Sequence, residues 1–372
     1  FGIQIPPHGK FGMKNNLFKL KKFWRNKKIF ITGHTGFKGS WFTIFFNLLG
    51  AKVYGYSLKQ EKISFYNLAK IEKIVKKSII GDIRDYKKLH QSIKKTSPNI
   101  LIHMAAQPLV RYSYDKPRYT YDVNSMGTLN VLNILKEIGS IKYALIITTD
   151  KVYKNLNKNK YFNENDELGG QDPYSNSKAC AELISQAYSD SFFFKKKISC
   201  TTVRAGNVIG GGDFAKNRII PDFFRALKNK KKLPLRYPNA IRPWQHVIEP
   251  LYGYLLLLMY MINSKSIVSG AWNFGPSKSN NLKVKEIISI LNSNFDNSIK
   301  VIVKKNLKKN YKESELLKLS SKKSNFKLKW KAKYNITKTI KLISQWHKEL
   351  FKNKNKALEI SEKQIKDYIN QF

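Results

Sequence analysis

The chain has 372 residues, 42% of them hydrophobic and 13% aromatic. That is ample for a packed core, which excludes a disordered chain and fits one large domain with a smaller lobe, or two domains. Two cysteines, Cys180 and Cys200, exclude a disulfide framework and a CxxC metal site, so a reducing cytoplasm is expected and no metal. The net charge of +44 is carried mainly by lysine spread along the chain, and it reads as solvated faces rather than as a nucleic-acid surface.

Residues 1–12 precede Met13 and carry no apolar stretch of signal type. They are set aside as sequence upstream of a start, and 1–22 is taken as an N-terminal extension. From Lys28 a short apolar run, KIFIT, leads into a glycine turn, and Phe37–Leu49 then has helical spacing. Further strands are expected at 52–57, 78–80, 99–103, 143–148 and 199–204, with helices near 85–96, 118–138 and 172–188. Strands alternating with helices imply a parallel sheet with right-handed crossovers. The fold class expected is α/β: a Rossmann-type doubly wound parallel sheet over 23–206, with a smaller mixed α/β C-terminal substrate lobe over 207–335. The apolar run Leu251–Ile262 is too short to span a bilayer. A helix at 248–262 and a strand at 271–273 are expected to pack back on the first domain. The remainder, 336–372, reads as a tail of two lysine-rich amphipathic helices.

Gly33-His34-Thr35-Gly36-Phe37-Lys38-Gly39 lies between the first strand and the first helix. Glycines there permit a tight turn and let backbone approach a pyrophosphate, while the helix start offers unpaired N–H groups. Strand two ends in Tyr56-Ser57-Leu58-Lys59 rather than in a carboxylate, which leaves NAD and NADP both open. Asp82 and Ile83, after strand three, are candidates for the adenine edge. Tyr174-Ser175-Asn176-Ser177-Lys178 puts a phenol and an ammonium one helical turn apart. A nearby cation lowers a tyrosine pKa and makes it a usable base.

Together these residues resemble the extended short-chain dehydrogenase/reductase superfamily, which includes nucleotide-sugar epimerases and 4,6-dehydratases. Thr149 matches the family's hydroxyl beside the tyrosine, and 103–107 (HMAAQ) matches its loop after strand four. Asp150-Lys151 then looks like the CDP-glucose 4,6-dehydratase branch, as do GHTGFKGSW (33–41), HMAAQPLVR (103–111), DPYSNSKACAEL (172–183), RAGNVIGGGDFA (204–215) and AIRPWQHVIEPL (240–251).

The resemblance implies a lyase that holds NAD tightly and converts CDP-glucose to CDP-4-keto-6-deoxyglucose and water. It implies oxidation at C4, elimination across C5 and C6 and hydride return, in deoxysugar biosynthesis for surface polysaccharide such as the O-antigen of lipopolysaccharide. Thr149, Asp150, Lys151, Tyr174 and Lys178 would be catalytic. Gly33, Thr35, Gly36, Phe37, Lys38, Gly39, Asp82, Ile83, Ala105 and Ala106 would hold the cofactor together with Tyr174 and Lys178. Gln107, Asn207, Arg218, Arg242 and Glu313 would bind substrate. Arg204 is a further candidate for the diphosphate, since an arginine fork suits phosphate oxygens. Tyr237 and Trp244 could stack on the base or pack in the core, and His103 and His246 read as structural. Lys312 and Ser320 depart from the branch's pattern. Relatives of this type are usually dimers built on the helices near 118–138 and 172–188, so a homodimer or a dimer of dimers is expected, with neither nucleic acid nor membrane as partner. An epimerase, or a dehydratase for another nucleotide sugar, is the alternative.

Overall fold

The computed structural model describes residues 14–156, 159–303 and 316–372. Lys312 and Glu313 lie outside them.

Six strands follow one another through the first half: β1 Lys28–Thr32, β2 Lys52–Ser57, β3 Lys77–Ile80, β4 Ile100–His103, β5 Tyr143–Ile147 and β6 Ser199–Ala205. β7 Asn207–Ile209, β8 Leu233–Leu235, β9 Ile241–His246, β10 Gly270–Phe274, β11 Asn281–Lys283 and β12 Val301–Val303 complete the set. The main sheet has the order β10-β6-β5-β4-β1-β2-β3, and every pairing in it is parallel. Strand order reverses between β1 and β4, so a crevice opens at their carboxyl ends, where α/β sheets bind ligands. The expected Rossmann-type sheet is therefore present.

The inner strands are apolar on both faces, as a parallel sheet demands. On one face Phe30, Leu101 and Ile146 pack with Leu89, Ile93, Val131 and Leu135 of the helices Tyr86–Thr96 and Gly127–Glu137. On the other, Ile29, Ile31, Ile102 and Leu145 pack with Trp41, Phe45, Leu251 and Leu255 of the helices Phe37–Leu48 and Ile248–Asn263. Among the described residues no helix is long and apolar enough to cross a membrane.

The helix expected over 118–138 is interrupted. Pro117–Tyr121 and Gly127–Glu137 flank a π-turn at Asp122–Met126. Such turns arise where a side chain must be re-aimed. Here Asn124 Oδ1 accepts from Gln107 N at 2.8 Å, and its Nδ2 donates to Gln107 O and Ser177 Oγ at 3.0 and 2.9 Å. One buried amide thus joins the loop after β4 to the Tyr174 helix.

The smaller lobe has its own sheet, β11-β9-β7, and the pair β12-β8. Its core joins Phe223 and Phe224 of the helix Ile219–Lys228 to Trp244, Ile287 and Leu291.

The two ends of the chain depart from the sequence reading. Residues 14–22, placed in an extension, belong to a helix Lys14–Trp24 whose Leu20 and Trp24 are buried in the main core. The C-terminal helices Ile336–Lys352 and Ala357–Ile369 are part of the body rather than a tail. Ile340 and Ile343 enter the small-lobe core, while Leu342, Trp346, Ile365 and Tyr368 enter the main one. Their lysines face water and hide a wide apolar stripe on the opposite side. Trp346 donates from Nε1 to Ser361 Oγ at 3.0 Å, and its ring lies directly against Gly211, where a Cβ would come within 2.2 Å. Trp346→Ala should cost about 3–5 kcal/mol through the cavity it leaves. Urea unfolding monitored by circular dichroism checks this.

Candidate active site

The glycine turn is sterically obligatory. Gly33 has φ +76°, and a Cβ there would lie 2.6 Å from Ala105 N. At Gly39 a Cβ would lie 2.1 Å from Gly33 O. Backbone therefore folds on backbone, and the helix Phe37–Leu48 starts at Gly36 without a side-chain cap. Its first N–H groups face a cleft of about 890 Å³, which is an anion cradle by geometry and dipole. Behind it, the buried His34 ring donates to or accepts from Ser78 Oγ at 2.8 Å, above Gly55. At the end of β2, Ser57 Oγ lies 2.7 Å from Thr35 Oγ1, a hydroxyl pair at the place where the sequence lacks the usual carboxylate.

Thr35, Gly36, Phe37, Lys38, Asp82, Ile83, Ala105 and Ala106 all line this cleft with Gly33 and Gly39, and so do Thr149, Asp150, Lys151, Tyr174 and Lys178. Asp82 is held by Arg84 at 2.6 Å, which keeps its carboxyl below the usual range. The substrate candidates Asn207, Arg218 and Arg242 line the side formed by the small lobe, as do Tyr237 and Trp244.

The catalytic candidates come from two elements. The first is the end of β5 and the 3-10 turn Asp150–Val152, capped by Thr149 Oγ1 accepting from Lys151 N at 3.3 Å. The second is the helix Pro173–Tyr188, capped by Asp172, which puts Tyr174 and Lys178 on the cleft face. Burial raises the Asp150 carboxyl to about 6 against the pull of Lys151 and Thr149. Thr149 Oγ1 donates to its Oδ1 at 3.1 Å, while among the described residues Oδ2 has no hydrogen-bond partner. A buried acid with one unused oxygen is suited to give a proton to a bound molecule.

Burial lowers the Lys178 ammonium to about 8, opposed by Glu182, and its Nζ donates to Ile147 O at 2.8 Å. The Tyr174 phenol stands at about 12: burial outweighs the downward pulls of its hydrogen bond with Thr149 and of the Arg218 charge. The sequence reading paired the phenol with the Lys178 cation and expected it lowered; the cation that acts on it is Arg218 instead, and burial still leaves the phenol above its usual value. Lys38 is a further buried cation, brought down to about 7 by burial and by the Lys178 charge, with Nζ on Tyr254 OH at 3.3 Å.

Two candidates leave the site. Gln107 is buried behind the wall, its amide used by Thr120 Oγ1, Leu109 O and Leu109 N. It holds the loop rather than meeting a ligand. Arg204 is buried in a bidentate pair with Glu182 at 2.8 and 2.9 Å, so its fork is already filled. His103 bridges Thr32 and Thr128 at 2.7 and 3.1 Å, and His246 is fully buried; neither lines the cleft.

Sequence reasoning missed Tyr254, hidden in an apolar helix, and Arg236, whose Nη2 donates to Asn217 O at 2.9 Å across the mouth. It also missed Asp213, which ion-pairs with Arg218 at 3.0 Å and raises its pKa. The Gly-Gly-Gly-Asp run at 210–213 was the available signal.

A family model for GDP-mannose 4,6 dehydratase matches residues 30–343, most of the chain. The chain belongs to that family. It is 40% identical over 356 residues to the CDP-glucose 4,6-dehydratase of Salmonella typhimurium, covering 94% of this chain and 98% of that protein. To the dTDP-D-glucose 4,6-dehydratase of Dictyostelium discoideum it is 31% identical, over 55% of this chain and 49% of that one. Among solved structures, a dTDP-glucose 4,6-dehydratase from Streptomyces venezuelae with NAD and TYD bound superposes with a TM-score of 0.73 at 20% identity, over 87% and 97% of the two chains. An epimerase from Methanothermobacter thermautotrophicus gives 0.78 at 21%, over 92% and 98%. These structures share the fold.

The Asp150 carboxyl binds its proton more tightly folded than unfolded. Its burial therefore costs nothing below pH ~4, and the penalty grows as pH rises to about 6. Asp150→Asn should thus match the parent's thermal stability at pH 4 and exceed it by roughly 2–3 kcal/mol at pH 8. Melting curves at the two pH values check the sign.

Proposed function

We propose that this chain is an NAD-dependent CDP-glucose 4,6-dehydratase, releasing CDP-4-keto-6-deoxyglucose and water. The observation that carries the reading is the Salmonella typhimurium relative, 40% identical over 94% of this chain. The site supports it chemically, because an acid able to hold its proton lies beside a lysine, a hydroxyl and a phenol in one cleft.

The residues fit the cofactor. The glycine turn, packed backbone on backbone at Gly33 and Gly39, sets the N–H groups of the helix that begins at Gly36 against the cleft, where they would hold a pyrophosphate. Thr35 and Ser57 would hold the adenosine ribose, Asp82 and Ile83 the adenine, and Lys178 the nicotinamide ribose. The chemistry supplied by bound NAD is hydride acceptance from sugar C4 and hydride return at C6.

Tyr174 takes the O4 proton through the hydroxyl of Thr149, assisted by the Arg218 charge. A nucleotide-sugar diphosphate is met by Arg218 and Arg242, and Asn207 contacts the same ligand. The C4 ketone acidifies the C5 proton, which the Lys151 amine removes. Asp150, in its acid form, gives its proton to the departing C6 hydroxyl, which leaves as water, and Lys151 then returns its proton to C5. Desolvation makes the acid form possible near neutral pH, since a solvated aspartate would be ionised.

The finer reading is a homodimer in the cytoplasm, making a deoxysugar precursor for surface polysaccharide. Exposed Met126 and Leu183, on the π-turn and the Tyr174 helix, support pairing through that face, and two unpaired cysteines suit a reducing compartment.

The deciding assay offers purified protein, with NAD, either CDP-glucose or dTDP-glucose and follows the 4-keto product. Product from CDP-glucose, with dTDP-glucose far slower, is expected; comparable rates, or an epimerised sugar, would refute the reading. Tyr174→Phe should form no bound NADH. Lys151→Ala should accumulate bound NADH while product formation falls on the order of 10²- to 10⁴-fold. Full turnover by Lys151→Ala would remove it from the mechanism.

A further inference from the structure

The turn that carries Asp150 and Lys151 is only three residues long, so its placement must come from elsewhere. It runs directly into Tyr153. The Tyr153 ring is buried and stacked on Phe162 with centroids 5.0 Å apart. Its hydroxyl donates to Asn273 Oδ1 at 2.8 Å and accepts from Arg204 Nη1 at 2.8 Å. The guanidinium also lies over the ring at 4.8 Å from its centroid. Arg204 is in turn fixed by Glu182, one helical turn beyond Lys178. The same carboxylate accepts from the hydroxyls of Thr148 and Thr202. Thr148 is the residue before Thr149.

One buried ion pair therefore touches all three segments that bear the site: the end of β5, the 3-10 turn and the Tyr174 helix. Both partners are almost fully buried, and neither lines the cleft. A buried pair is weak evidence for stability, because a hydrophobic replacement is often as stable. Its best-attested use is to specify an arrangement.

We propose that the Arg204–Glu182 pair, through Tyr153 and Thr148, is a positioning element that sets Asp150 and Lys151 against Tyr174 and Lys178. Elimination depends on it more steeply than C4 oxidation does. The asymmetry follows from the supports. Tyr174 and Lys178 sit on a sixteen-residue helix held by its own ladder and by the Asp172 cap. Asp150 and Lys151 have a single turn. The kinetic part rests on the dehydratase reading; the structural part does not.

Two variants test it. Tyr153→Phe removes the hydroxyl that receives Arg204. Glu182→Gln combined with Arg204→Met removes both charges together, leaving none buried alone. Hydrogen exchange in the protein without substrate gives the first readout. In both variants the amides of 150–154 should lose protection while those of 176–188 keep theirs. Unchanged protection in the turn, or equal loss in the helix, overturns the proposal whatever the substrate is.

With CDP-glucose and NAD, kcat should fall about tenfold or more with KM within about twofold, as small misplacements of catalytic groups do. Bound NADH should build up in the steady state. Equal slowing of NADH formation and product release would mark a merely structural role and overturn the proposal. If the parent protein leaves CDP-glucose untouched, the dehydratase reading fails, and hydrogen exchange alone decides the positioning claim.

Discussion

A parallel sheet has to be covered on both faces, because its crossovers leave neither one for water. That requirement organises this molecule. One face is covered by the helices Tyr86–Thr96 and Gly127–Glu137. The other is only partly covered by the helix after the glycine turn and by Ile248–Asn263. The remaining apolar surface is closed by the N-terminal helix and the two C-terminal helices, which bring Trp24, Trp346 and Tyr368 to it. The carboxyl edge of the sheet stays open between the two lobes. There strand ends, helix starts and the small lobe converge on the cleft.

Within the cleft, removal of water does most of the chemical tuning. It pushes the Asp150 carboxyl up and the Lys178 ammonium down by more than the neighbouring charges oppose, and the Lys38 ammonium down in concert with the Lys178 charge. It also pushes the Tyr174 phenol up, away from the form a base needs. Thr149 and Arg218 counter that shift. The same low dielectric that readies the acid for elimination thus works against the base for oxidation, and the two steps rely on different helpers.

The sheet and the cleft-lining residues were legible in the sequence because each has a local signature. Gly33 to Gly39 show an obligatory turn, Tyr174 and Lys178 a helical spacing, and the strands their apolar runs. What lacked a signature was settled by distant contacts. The lysine-rich surface of 336–369 suggested an appendage, since its apolar stripe has meaning only against a partner that the sequence does not place. Arg204 looked like a phosphate ligand because its partner, Glu182, is 22 positions earlier. Gln107 sits beside true lining residues, Ala105 and Ala106, but Asn124 on the π-turn ties its backbone at the back of the wall, and its amide is spent on Thr120 and Leu109. That turn interrupts a segment whose composition reads as continuous helix.

The contact between Gly211 and Trp346 has a temporal consequence. Gly211 belongs to the loop that leads to Asp213 and Arg218, and Trp41 Nε1 donates to its carbonyl at 2.9 Å. Three distant parts of the chain therefore meet under one lip of the cleft. Trp346 follows every strand of the main sheet, the last of which ends at Phe274. During synthesis the sheet can form first, but the lip has no floor until the helix that carries Trp346 docks. The cleft is thus finished later than the sheet, and a chain that stops short of Trp346 has the strands without a finished cleft.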